Sequence, residues 1–185
     1  MAANPLPFTH RLATTSDLDA LRELMHLAIR DLVGAVLDPA RTEASYEVMG
    51  VDTQLVEDAT YFAVEGEGRI VGCGGWSRRA TLFGGDHTSG RDARLLDPEH
   101  EPARVRAMYT HPAYVRRGIG RLVLQLCEAA AVSEGFRALE LVATVPGEPL
   151  YRAYGFEVIE RFDAPTKAGV TVPLARMGKR VAFAG

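Results

Sequence analysis

The segment from Val105 to Glu128 constrains this chain more than any other. A β-like run, Arg104 to Thr110, passes through His111-Pro112 into Val115-Arg116-Arg117-Gly118-Ile119-Gly120, and a helix opens there. Ile119, Leu122, Val123, Leu126, Cys127, Ala130 and Ala131 recur at steps of three and one, which makes a single buried stripe. Gly135 supplies a C-terminal stop. Strand, glycine turn and helix in this order leave open N–H groups and about half a positive charge at the helix start. Arg116, Arg117 and Arg121 add charge around the same turn. Such a turn suits a pyrophosphate. A plain strand–helix turn with solvated basic side chains has the same pattern. The P-loop pattern does not fit, because no Lys-Ser or Lys-Thr follows a glycine here. The dinucleotide fingerprint fails at Val123, where its third glycine should fall.

The rest of the chain must supply partners for this unit. Phe8 to Ala13 reads as a short strand. A helix follows, capped by Ser16 with Asp19 in a capping box, and its apolar stripe runs from Leu18 to Leu32 until Gly34. A second helix is expected over Pro39 to Met49. Tyr61 to Val64 and Arg69 to Trp76 form a hairpin about Gly66-Glu67-Gly68. Thr81 to Pro102 shows no period, and a loop of this length is usually functional or mobile. Beyond the central helix, Ala138 to Ala143 is a strand and Glu148 to Tyr154 a short helix ended by Gly155. Phe156 to Phe162 and Val170 to Met177 close the chain as strands. The expected fold is therefore α/β (α+β): a mixed, mostly antiparallel twisted sheet of about six or seven strands with about four helices. Residues 8–181 would form this domain, with tails at 1–7 and 182–185.

Composition narrows the function classes. The chain has 185 residues, enough for one domain, and a net charge of −3, which gives no general pull toward nucleic acid. It contains no apolar run long enough to span a bilayer, and Met1 to Phe8 lacks the pattern of a signal peptide, so the cytoplasm is the expected compartment. The two cysteines, Cys73 and Cys127, read as buried free thiols, and the five histidines show no metal-ligand spacing, so no metal is expected.

With these elements in place, the segment Val105 to Arg121 resembles the acetyl-CoA-binding motif of the GNAT N-acetyltransferase superfamily: a strand, a Gln/Arg-x-x-Gly-x-Gly/Ala turn and a helix. Leu150-Tyr151-Arg152-Ala153-Tyr154-Gly155-Phe156 resembles the same superfamily's Leu-Tyr-x-x-x-Gly-Phe segment, in the expected order. The resemblance implies acetyl-CoA as cosubstrate. It places backbone groups of Met108, Tyr109 and Thr110 on the pantetheine arm. It places N–H groups from Arg116, Arg117, Gly118, Ile119, Gly120 and Arg121 on the pyrophosphate. Tyr151 would face the departing sulfur, and Tyr154 would be structural. Two positions depart from the family pattern. Val115 stands where Gln or Arg is expected, with Arg116 next to it, and Thr144 stands where Asn is common. A homodimer through the C-terminal strands would be ordinary for this family.

Amine acetylation makes physical demands. A lysine-like amine of pKa about 10.4 needs about 4.6 kcal/mol to be neutral at pH 7. The carbonyl oxygen needs a donor, which the resemblance assigns to a main-chain N–H at a bulge near Met108. The thiolate needs a hydrogen bond, which suits Tyr151. The base is not legible: Glu65, Glu140, Asp86, His87 or a water chain are all open. The expected acceptor is a small-molecule or peptide amine. Its candidate contacts are Trp76, Arg78, Asp86 and His87, with the loop from Thr81 as a lid. Gly72, Gly74 and Gly75, inside a strand, mark a close approach of ligand or backbone and a first place to look for the acceptor. A non-catalytic acyl-CoA sensor or a nucleotide-binding protein could use the same turn.

Overall fold

Residues 8–181 are described by a computed structural model; the tails at 1–7 and 182–185, and with them all but Phe8 of the N-terminal segment read for a signal, lie outside the described residues. The strands are β1 (Thr9–Leu12), β2 (Tyr61–Gly66), β3 (Arg69–Ser77), β4 (Ala103–Thr110), β5 (Ala138–Thr144), β6 (Glu157–Pro165) and β7 (Thr171–Arg180). They make one seven-stranded sheet in the order β1-β2-β3-β4-β5-β7-β6. Only β4 and β5 run parallel. The helices are α1 (Leu18–Ala28), α2 (Pro39–Val48), α3 (Thr53–Glu57), α4 (Ile119–Ser133) and α5 (Glu148–Ala153).

Local sequence explains most of these boundaries. Glu67 and Gly68 both take positive φ, 53° and 78°, so the β2–β3 hairpin turns with the hand that matches strand twist. Asp38 caps α2 through the Arg41 N–H at 2.9 Å, with Pro39 at the first turn. At the start of α1 the reciprocal pair is Thr14 and Asp17, not Ser16 and Asp19. Thr14 N–H donates to Asp17 at 2.8 Å, and Arg11 holds the same carboxylate at 2.7 and 2.9 Å. Arg11, six residues upstream, thus braces the short 3-10 turn over Thr15–Asp17 ahead of the helix. α1 then continues into a π turn, Ile29–Val33, before Gly34.

α4 packs on one face of the sheet and α1 on the other. α4 buries Ile119, Val123, Leu124, Cys127 and Ala131. Leu122, Leu126 and Ala130 are only half-buried, and Leu124 carries more of the contact than the heptad-like stripe suggested. The strand glycines have a structural reason. A Cβ on Gly72 would stand 2.2 Å from Ile119 Cγ2, and one on Gly74 would stand 2.6 Å from Val123 Cγ1 and Met108 Cγ. They let α4 and β4 lie close against β3. The close approach is therefore by the protein itself and not by an acceptor.

Two irregularities open the sheet. β4 pairs with β5 only at Ala103↔Leu139 and Arg104↔Glu140, and the strands then diverge. On its other edge β4 carries a bulge against β3, with the register slipping between Cys73 and Gly75 and Ala107 at φ 51°. The positive φ at Ala107 is strained backbone and needs support. Tyr61, fully buried, donates its hydroxyl hydrogen to the Ala107 carbonyl at 2.8 Å.

Candidate active site

A cavity of about 590 Å³ lies in the opening between β4 and β5, at the N-terminus of α4, within the range usual for ligand pockets. Met108, Tyr109 and Thr110 form one wall, Thr144 and the α5 segment with Tyr151 another, and the turn from Val115 to Arg121 the mouth. Leu32, Val33 and Met49 close the apolar side. The π turn after α1 brings Leu32 and Val33 there; π turns often occur at functional sites.

The turn is built from unusual backbone. Arg116 takes φ 62° and Gly118 φ 88°. Gly118 is the N-cap of α4, and no side-chain hydrogen bond caps the helix. The first N–H groups of α4 are thus uncapped by the chain and lie at the cavity mouth. A Cβ on Gly120 would meet Leu150 Cδ2 at 2.6 Å, so that glycine also serves the approach of α5. The Arg116 and Arg121 residues line the cavity. Arg117 does not: its guanidinium lies over the Tyr114 ring, 5.0 Å from the centroid, and only its main chain belongs to the turn. Val115, at the position where the motif favours Gln or Arg, lines the mouth with an apolar side chain.

Tyr151 sits where the two walls meet. Its ring packs edge-on against Phe156 at 6.1 Å, and its hydroxyl reaches the Met108 sulfur at 3.9 Å. Burial pushes its pKa up to about 12, so it holds its proton throughout the neutral range. Tyr154 instead stacks under Lys179, 4.1 Å from the ring centroid, and Arg121, at 5.8 Å.

On the far side of the opening is a second, smaller cavity of about 80 Å³. It shares Met49, Met108, Tyr109, Thr144 and Tyr151 with the first, so the two spaces meet at these side chains. Its outer wall comes from Val48, Gly50 and Leu82–Gly84, with Val142 and Leu174 from the sheet. The long loop is pinned here and is ordered by ion pairs. Arg106 forms a close ion pair with the fully buried Asp52 and donates to the Gly84 carbonyl at 2.6 Å. Arg91 reaches the same carboxylate at 2.7 Å. Burial pulls the Arg106 pKa below its ordinary value, and Asp52 opposes this. Tyr109 adds a hydrogen bond to the Gly50 carbonyl at 2.9 Å.

The expected acceptor contacts lie elsewhere. Trp76 is 2 % exposed and packs on Phe136 at 5.9 Å. Arg78 covers its ring and pairs with Glu134 on α4 at 2.6 Å. Asp86 accepts from the Thr53 N–H at 2.9 Å, and His87 Nε2 bonds to the Tyr46 carbonyl at 2.9 Å; both anchor the loop to the α2–α3 segment. The candidate bases are similarly occupied, with Glu65 on Arg11 at 2.9 Å and Glu140 paired with Arg104 and Arg176. None of these residues lines either cavity. Burial raises the Cys73 thiol to about 12, and Cys127 is raised as well, so both are inert thiols. Among the described residues no cluster of three or more His, Cys, Asp and Glu could hold a metal, and no helix is long and apolar enough to cross a membrane.

Sequence reading reached the strand, turn and helix of the larger cavity. It missed Leu32, Val33 and Met49, and on the smaller cavity Val48, Gly50, Val142 and Leu174. The glycines at 50, 84 and 85 were the one available signal, since Gly50 and Gly85 touch backbone to backbone: a Cβ on Gly50 would stand 2.7 Å from Gly85 Cα.

A sheet splayed by a bulge, with an uncapped helix N-terminus at its mouth, has a counterpart among known families. The model of the acetyltransferase (GNAT) family matches residues 21–156, and the chain belongs to that family. It is thereby an acyltransferase. Solved structures share the fold. A GCN5-related N-acetyltransferase structure from Rhodopseudomonas palustris superposes with a TM-score of 0.67 at 16 % identity, covering 94 % of this chain and 95 % of that one. A putative acetyltransferase, yncA, from Salmonella typhimurium, solved with its cofactor acetyl-CoA, gives 0.63 at 18 % identity over 97 % of each chain. The ribosomal-protein-S18-alanine N-acetyltransferase of Escherichia coli gives 0.58 at 18 % identity over 96 % of each. Comparison with curated proteins gave no match.

Proposed function

We propose that this protein moves an acetyl group from acetyl-CoA to a primary amine by direct attack within a ternary complex, in the cytoplasm. The observation that carries this reading is the pair of cavities meeting at Tyr151 and Met108, one for the donor and one for the acceptor. Their residues fit the donor. The uncapped start of α4, with Arg116 and Arg121 beside it, offers N–H groups and positive charge to a pyrophosphate. The β4 edge from Met108 to Thr110, freed from β5, offers strand-like hydrogen bonds to the pantetheine amides. When bound, acetyl-CoA supplies an acyl group already activated as a thioester.

The chain's own groups then divide the work. The bulge around Ala107 interrupts the β3–β4 ladder beside the opening, and a main-chain N–H of this segment is the candidate donor for a carbonyl oxygen gaining charge. Thr144 offers a hydroxyl in the same opening. Tyr151 stabilises the departing thiolate by donating a hydrogen bond and keeps its own proton. Giving up that proton from a pKa of about 12 to a thiol of about 8.5 is uphill by about 5 kcal/mol. A homodimer across the β6 edge, where Ile159 is 54 % exposed, belongs to the same reading and is checked by size-exclusion chromatography with light scattering.

The test combines thiol release with ligand-induced thermal shift. CoA should raise Tm more than ATP or NAD, and an amine should drive release of free thiol. Tyr151→Phe should lower kcat about tenfold or more while the Kd for CoA stays within about twofold. Unchanged turnover in that variant removes Tyr151 from the chemistry. A larger shift with ATP or NAD overturns the donor assignment. CoA binding without turnover of any amine favours a sensor of acyl-CoA.

A further inference from the structure

Arg106 is the one charged side chain that lines the smaller cavity, and no Asp, Glu or His lines either cavity among the described residues. Its side chain is 2 % exposed, so each of its N–H groups needs a partner within the protein or on a ligand. One terminal nitrogen pairs with Asp52, and the other donates to the Gly84 carbonyl at 2.6 Å. The Nε–H is buried and has no hydrogen-bond partner. The charge is uneven as well. Arg106 and Arg91 share the carboxylate of Asp52, and a buried terminal nitrogen of Arg91 is also without a partner. Asp86 acts on Arg106 through its charge, but its own hydrogen bonds go to the Thr53 N–H and hydroxyl. Burial, with Arg91 adding to it, pulls Arg106 below its ordinary pKa, and an added anion would oppose this. Arg104 and Arg176 also keep buried nitrogens without partners, but they line neither cavity.

The rest of the lining sets the size of the ligand. The cavity holds about 80 Å³ and is partly open, with Val48, Phe83, Val142 and Leu174 beside the arginine. Arg106 and Met108 are two residues apart on β4, about 7 Å along a strand. An anion on Arg106 and an amine at Met108 and Tyr151, where the two cavities meet, are thus only a few bonds apart in the ligand. A second ammonium would find no carboxylate in either lining.

Resting on the acetyltransferase reading above, we propose that the acceptor is a small amino acid whose carboxylate is held by Arg106 while its amine reaches the joint of the two cavities. Arg106 is then a specificity-determining residue. In the net reaction the lone pair of the free amine forms the C–N bond, and the C–S bond breaks with its electron pair on sulfur. The one proton that nitrogen loses ends on that sulfur, giving an N-acetyl amino acid and a thiol.

Three matched amines test this: leucine, leucinamide without the negative charge, and 3-methylbutylamine without the carboxyl group. With saturating acetyl-CoA, kcat/KM per unprotonated amine should be about tenfold or more higher for leucine than for either of the others. In the wild-type protein 4-methylpentanoate, which is leucine without its amine, should compete with leucine, and 4-methylpentanamide should not. Arg106→Lys keeps a cation beside Asp52 but replaces the planar fork by a single ammonium. It should lower the ratio of leucine to leucinamide by about tenfold, mainly through the KM for leucine. Thermal shift with CoA reports on the folding and the donor side of each protein, and the wild-type comparison decides the matter even if the variant does not fold. If CoA stabilises the protein but leucinamide or 3-methylbutylamine is used as well as leucine, or none of the three is used, the inference falls and the donor reading stands. A folded Arg106→Lys variant with an unchanged ratio would take the carboxylate off Arg106 and also overturn it. If CoA gives no shift in the wild type, the acetyltransferase reading itself falls.

Discussion

The two walls of the sheet opening are made in opposite ways. The donor wall comes mainly from two stretches, 108–121 and 144–153, closed by Leu32, Val33 and Met49, and the shape of its mouth comes from local backbone: a bulge at Ala107, positive φ at Arg116 and Gly118, and a helix start without a side-chain cap. The acceptor wall gathers short pieces from residues 48–50, 82–84, 142 and 174, and a buried ion cluster of Asp52, Arg106 and Arg91 holds them. The donor wall must accept one fixed ligand, so a short, self-supporting motif suffices. The acceptor wall depends on charges far apart in sequence, so small changes in loops can alter specificity while the donor site stays intact. The two walls should therefore fail differently when perturbed.

The largest effect is expected at the acceptor anchor. Asp52→Ala leaves the buried Arg106 and the half-buried Arg91 without their carboxylate, a loss of about 3–5 kcal/mol in stability measured by urea unfolding. The residual folded protein should still bind CoA. A loss below about 1 kcal/mol would mean the ion cluster does not hold this wall.

Next comes the joint between the walls. Tyr61→Phe leaves the Ala107 carbonyl without its donor and should cost about 1–3 kcal/mol. It should also lower kcat at saturating acetyl-CoA, because the bulge loses its support. Adding Ala107→Gly, which relieves the strain at φ 51°, should restore part of kcat. Equal kcat in wild type and Tyr61→Phe would make the tyrosine a packing residue only.

The smallest effect is expected at the donor turn. Gly118→Ala forces a Cβ into φ 88° at a cost of about 1–2 kcal/mol. It should appear as weaker CoA binding by isothermal titration, with the acceptor KM unchanged at saturating donor. A shift in acceptor KM instead would join the two walls into one unit.

The donor wall was legible because its determinants are neighbours in sequence. Gly118, the arginines and the helix stripe lie within one strand–turn–helix, and Tyr151 follows one strand later. The acceptor wall was not legible. α3 offers a single buried apolar residue, Leu55, and a five-residue helix gives no period to detect. Asp52 looks in sequence like any surface carboxylate; its burial follows from Arg106 arriving on β4 and Arg91 on the long loop. His87 and Asp86 drew attention as titratable groups, and the structure uses both as loop anchors.

By itself the sequence determined the order of elements, the single mixed sheet and the anion-ready turn, since period, glycine and charge act over a few residues. Tertiary structure decided where the sheet opens, which faces enclose the acceptor and which charges are spent on holding the loop. Those depend on contacts between residues tens of positions apart, where burial, and not residue type, sets what a side chain can do.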